Sequence, residues 1–121
     1  MKSDLTGGKG DRVQPIASFG DRVAQAVDRL GPLCAGIDPS AAVLGAWGLR
    51  DDVEGLGLFC RICVDAFAGV VPVIKPQVAF FERHGSAGMA ELERLLADAA
   101  GASLIPVVGT HWSVEIGRAH V

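Results

Sequence analysis

The sequence predicts an α/β fold of about three parallel strands alternating with helices. Two observations carry this. Three short apolar runs without polar alternation, at 33–37, 70–74 and 103–108, read as strands buried on both faces. Between them lie stretches whose apolar residues recur at helical spacing. The resulting order, helix and then strand-helix-strand-helix-strand, implies a parallel sheet with right-handed crossovers.

Residues 1–16 read as a flexible polar tail. Gly7-Gly8-Lys9-Gly10 lies in it, but no strand precedes it and no Gly-Lys-Ser/Thr completes a phosphate loop. A first helix is expected over about 19–30, with Phe19, Val23, Val27 and Leu30 on its apolar face. Ser18 with Asp21 forms a capping pair, and Gly31-Pro32 ends the helix. A short helical turn is expected near 41–47. Asp51 with Glu54 marks the start of the next helix, whose buried face is Leu56, Phe59, Cys60, Cys63, Val64 and Phe67. Gly55 and Gly57 weaken its first turn, and Gly69 ends it. Ser86 can cap a third helix with Met89, Leu92, Leu95, Leu96 and Ala99 buried. Pro106 conflicts with a strand in the middle of a sheet.

A chain of 121 residues with 50% hydrophobic and 21% charged content suits one ordered domain, not two. The 14 acidic and 11 basic residues leave a net charge of -3, which offers no basic footprint for nucleic acid or an anionic membrane. The first 14 residues lack the apolar core of a secretory signal. The longest apolar stretch, 66–74, is far short of the ~20 residues that span a bilayer. Three cysteines, an odd count, fit a reducing cytoplasm better than a disulfide framework. Cys60 and Cys63 have no second cysteine pair with which to hold a zinc ion, so they read as core side chains and no metal site is expected.

In parallel α/β folds, reactive side chains gather at the carboxyl ends of strands. Two charged residues fall there, Asp38 and Lys75, and each directly precedes a proline. A pre-proline residue is held extended, and the proline cannot continue the ladder, so both strands should stop at these residues. Neighbouring strands lie ~4.8 Å apart, which would place Asp38 and Lys75 at one mouth. There they could bind sugar hydroxyls or a carboxylate, or form a plain rim salt bridge. The adjacent Phe80 and Phe81 read as rings packing the next helix under the sheet. His84 reads as a surface residue and is given no role.

These residues carry a family likeness. Gly31-Pro32-Leu33-Cys34-Ala35-Gly36-Ile37-Asp38-Pro39 resembles the first strand of orotidine 5'-phosphate decarboxylases, notably the actinobacterial subgroup. Val73-Ile74-Lys75-Pro76-Gln77-Val78-Ala79-Phe80-Phe81-Glu82 resembles that subgroup's second strand, and its Lys-Pro-Gln-x-Ala-Phe-Phe-Glu string is the specific signal. Ala46-Trp47-Gly48-Leu49, Phe59-Cys60 and Gly85-Ser86-Ala87-Gly88 are also similar. The likeness covers roughly residues 18–100.

The resemblance implies the N-terminal portion of a (β/α)8 TIM barrel. Such a barrel needs at least about 200 residues, so this one cannot close. It implies decarboxylation of orotidine 5'-phosphate to uridine 5'-phosphate in pyrimidine synthesis, in the cytoplasm, without metal or organic cofactor, by a homodimer. By likeness Asp38 would hold a ribose hydroxyl. Lys75 would be the catalytic-network lysine, touching the ribose and orienting a neighbouring aspartate.

The family's third strand ends in Asp-x-Lys-x-x-Asp, which supplies the proton-donating lysine. Here Leu104-Ile105-Pro106-Val107-Val108 is followed by Gly109-Thr110-His111-Trp112, and lysines occur only at 2, 9 and 75. Residues 17–108 are therefore expected to be a partial barrel domain, with 109–121 outside the family pattern. The last six residues, Ile116-Gly117-Arg118-Ala119-His120-Val121, are what a common sequencing adapter encodes as ATC GGA AGA GCA CAC GTC. Two other readings remain: a related phosphate-sugar lyase or synthase barrel, and a small non-catalytic α/β interaction module.

Overall fold

The computed structural model describes residues 18–109. The expected tail at 1–16 and the adapter-like residues at 116–121 lie outside them. The described elements are α1 (Phe19–Leu30), β1 (Cys34–Ile37), α2 (Ala41–Ala46), α3 (Val53–Phe67), β2 (Val73–Pro76), α4 (Ala79–Glu82), α5 (Gly85–Gly101) and β3 (Ile105–Pro106). The strands form one parallel sheet in the order β1-β2-β3. The fold class is the expected one: α/β, parallel and open.

β2 is the middle strand, and its neighbouring side chains face opposite layers. Ile74 points into the main core with Leu56, Phe59, Cys63, Phe81, Leu92 and Leu95, contributed largely by α3, α4 and α5. Val73 points the other way and packs with Ile105 beneath Val23 and Ala26 of α1. The apolar face read for α3 is the buried face. Trp47 and Phe59 meet edge to face at 5.6 Å, pinning α2 to α3. The α3 glycines have a packing reason. A Cβ on Gly57 would come within 2.8 Å of Glu91 Oε1 on α5, and one on Gly55 would collide with the Arg50 carbonyl.

Several expectations need correcting. β1 is not buried on both faces: Leu33 is 62% exposed, and Cys34 and Gly36 are exposed as well, because no element among the described residues covers that end of the sheet. On α1 the buried residue is Ala26, Val23, Val27 and Leu30 are half-buried, and Phe19 is 52% exposed. Asp52, not Asp51, caps α3, accepting from the Gly55 N–H at 2.8 Å. Ser86 caps nothing: α5 begins one residue earlier, behind His84, with Gly85 at φ 70° making the turn. The Ser18 cap of α1 forms as read, its Oγ accepting from the Asp21 N–H at 3.0 Å.

Pro76 is the last residue of β2, one past Lys75. It pairs with Ile37, its carbonyl accepts from the Gly109 N–H at 2.7 Å, and the next N–H, of Gln77, reaches the Ile37 carbonyl at 3.1 Å. The neighbouring residues carry the ladder past the missing donor. Pro106 is compatible with β3 for a related reason. The β3 donors that reach β2 are Ile105 and Val107, which bond the Pro72 and Ile74 carbonyls at 3.0 and 2.9 Å. Residue 106 therefore faces the open edge, where an absent N–H costs no ladder bond.

Among the described residues both outer strands keep an open edge, and Leu33, Val70, Val107 and Val108 are exposed beside them. The isolated chain is expected to associate, with a sedimentation coefficient that rises with concentration; a monomeric profile with a sharp cooperative melt would contradict this. A second outcome concerns acid. The Asp52 carboxyl is held below its ordinary value of 3.8, chiefly by the Gly55 N–H, and Asp51 below the same value, chiefly by the Arg83 side chain. Their stabilising contribution is present above pH 3.8 and lost as pH falls through the lowered folded values. Asp52→Ala should lower the melting temperature at pH 7 and flatten its dependence on pH at the acid end.

Candidate functional site

The carboxyl ends of β1 and β2 place Asp38 and Lys75 together. Gly36 is in register with Lys75. Asp38 follows two residues later on the same face, just past the strand, where its carbonyl accepts from the Ser40 N–H at 2.8 Å. Its carboxylate leans back over Gly36, with Oδ1 3.8 Å from where a Cβ would stand. That is ordinary van der Waals distance, so the carboxylate rests directly over the residue paired with Lys75.

The two charges are coupled but not paired. Among the described residues no ion pair within 4.0 Å joins them, so the rim salt bridge does not form. Partial burial pushes the Asp38 carboxyl up from its ordinary value of 3.8, and the Lys75 ammonium pulls it part of the way back. An acid and an ammonium that sense each other without contact leave their hydrogen-bonding capacity for a third group.

Sequence reasoning missed the rest of the mouth. Gln77 lies two residues beyond Lys75, on the same face of the chain, and bridges to Gly109 of the third strand segment. It is 5% exposed, and its Oε1 is buried without a partner among the described residues. A Cβ at 109 would collide with the Gln77 side-chain amide. The period of two from Lys75 was the available signal for Gln77. Arg83 gave none. Its NH2 donates to Asp51 Oδ1 at 2.6 Å and to the Pro39 carbonyl at 3.2 Å, across 32 and 44 residues of sequence. His84 is not a surface residue: its side chain is 10% exposed, and its buried Nε2 has no hydrogen-bond partner and sits 4.0 Å from Asp51 Oδ1.

The cysteines behave as read. Cys60 and Cys63 are buried in the core, and burial pushes their thiols up to about 12 and about 11. Phe81 is fully buried beneath the sheet, and Phe80 is half-buried. No helix among the described residues is long and apolar enough to cross a membrane.

No protein-family model matches the chain. It is 52% identical over 90 residues to an orotidine 5'-phosphate decarboxylase of Streptomyces coelicolor, a match covering 74% of this chain and 32% of the relative. It is 54% identical over 89 residues to an orotidine 5'-phosphate decarboxylase of Nocardioides sp., covering 72% and 33%. A crystal structure described as an orotidine 5'-phosphate decarboxylase from Streptomyces avermitilis superposes with a TM-score of 0.75 at 49% identity, covering 78% of this chain and 33% of that one. The likeness read from the residues is thus borne out, and the chain spans about a third of the length of the relatives it matches.

The thiols provide a check on this geometry. A disulfide reagent at pH 8 should modify Cys34, which is exposed, in a fast phase, and Cys60 and Cys63 only after denaturant is added. Rapid modification of all three in buffer would show that the α3 face is not buried.

Proposed function

We infer that this chain is the amino-terminal segment of an orotidine 5'-phosphate decarboxylase, carrying two residues of its substrate site and lacking the proton-donating lysine. The observation that carries this reading is the coupled, unpaired Asp38 and Lys75 at the carboxyl ends of adjacent parallel strands. The relatives at 52% and 54% identity support the substrate class.

The chemistry accounts for the need for such groups. Cleavage of the bond from the pyrimidine ring to its carboxylate releases carbon dioxide and leaves the electron pair on the ring carbon. A fixed ammonium stabilises that charge as it develops and then delivers a proton, giving uridine 5'-phosphate. Asp38 would accept a hydrogen bond from a ribose hydroxyl. Lys75 would donate to the ribose and hold the neighbouring aspartate in place. Contacts to the remote phosphate contribute binding energy away from the reacting carbon.

The register explains what the chain lacks. Extending the β2–β3 pairing sets residue 107 opposite Lys75, while Gly109 bridges to Gln77. An Asp-x-Lys motif alternates onto one face, so its two charges would occupy these two positions. Here they are Val107 and Gly109, and the sequence holds no lysine after Lys75. The 121-residue chain is therefore inactive alone. In the complete protein the reaction takes place in the cytoplasm at a dimer interface, with no metal or organic cofactor.

The genomic DNA downstream of codon 100 tests the reading. An in-frame Asp-x-Lys-x-x-Asp is expected there; a stop codon without it would favour a non-catalytic module. The 121-residue chain should leave orotidine 5'-phosphate unchanged in a spectrophotometric assay. The protein expressed from the full frame should turn it over, and Lys75→Ala should cost that protein about 10²–10⁴-fold in kcat/KM.

A further inference from the structure

We propose that Arg83 is a positioning residue: its guanidinium ties the loop after β1 to the segment after β2 and thereby fixes where Asp38 stands relative to Lys75. This rests on the reading of Asp38 and Lys75 as substrate contacts.

Asp38 lies beyond the last paired residue of β1, so the ladder does not fix it. The next residue, Pro39, is fully buried, and its carbonyl takes a hydrogen bond from Arg83 NH2 at 3.2 Å. The same nitrogen holds Asp51 Oδ1 at 2.6 Å, in the segment leading into α3. Arg83 follows α4, seven residues after the proline that Lys75 precedes. Its two bonds span 44 and 32 residues of sequence. One NH2 group therefore joins three segments around the mouth, set in place by a planar head that reaches further and turns less freely than the ammonium of a lysine. His84 Nε2 stands 4.0 Å from the same Asp51 oxygen, so Asp51 is flanked on both sides.

The test uses the 121-residue chain in dilute solution, unsubstituted and as Arg83→Met and Arg83→Lys, each with and without Lys75→Met. Carbon-13 NMR of the Asp38 carboxyl reads its titration midpoint, and circular dichroism reads the melt. Lys75→Met should raise the midpoint in the unsubstituted chain. In Arg83→Met, which keeps the apolar stem, that response should fall to about half or less, and Arg83→Lys should recover part of it. An equal response in Arg83→Met and the unsubstituted chain, or no response in the latter, would overturn the proposal. If Arg83→Met fails to fold, Arg83→Lys decides: its shorter side chain cannot set an ammonium where the Arg83 NH2 stands, and an undiminished response there would overturn the proposal. Titration of the protein expressed from the full frame, with and without Arg83→Met, against uridine 5'-phosphate separates the two claims. If the nucleotide leaves the Asp38 and Lys75 signals unmoved while the Arg83 effect holds, the substrate reading fails and the positioning role stands.

Discussion

Pairing of β2 on both edges is the constraint on which the rest depends. It is the strand with a partner on each side, and its alternating side chains serve both layers. Ile74 anchors the core formed with α3 and α5; Val73 meets α1; Lys75 emerges at the rim. A slip of one residue would exchange these faces, placing an ammonium among Leu56, Phe81 and Leu95 and an isoleucine at the mouth. Burying that charge without a partner costs far more than the slip could return, so the core and the site enforce one register together.

The electrostatics of the mouth follow from incomplete solvation. Asp38 has lost part of its water, which favours its neutral form, and Lys75 is near enough to offset the loss only in part. A direct salt bridge would have used part of the bonding capacity of both groups, which here stays open to a ligand. The buried Oε1 of Gln77 extends the pattern: a strand end where polar groups have been desolvated but not matched with one another.

Much of this was legible in the sequence because the decisive signals are local. The apolar period of α3, the Ser18 cap and the Asp-Pro and Lys-Pro strand ends depend on residues a few positions apart. The errors arose where the outcome is set elsewhere in the fold. Leu33 and Phe19 are apolar, but nothing among the described residues covers them. The strand end at Pro76 was legible because a missing donor is visible in sequence, whereas the bonds by which Gln77 and Gly109 add one more pairing beyond it are not. Arg83 was missed because its partners, Asp51 and Pro39, become neighbours only after the loops are placed.

The proline in β3 makes the two open edges unequal. On the β1 side, the backbone around Leu33 and Cys34 offers donors and acceptors to any passing strand. On the β3 side, the outward position at 106 keeps its carbonyl but has no N–H to donate. A strand arriving at that border loses one ladder bond that the β1 border would provide. Edge pairing among the described strands is therefore favoured at the β1 side, where two copies can meet through the same border.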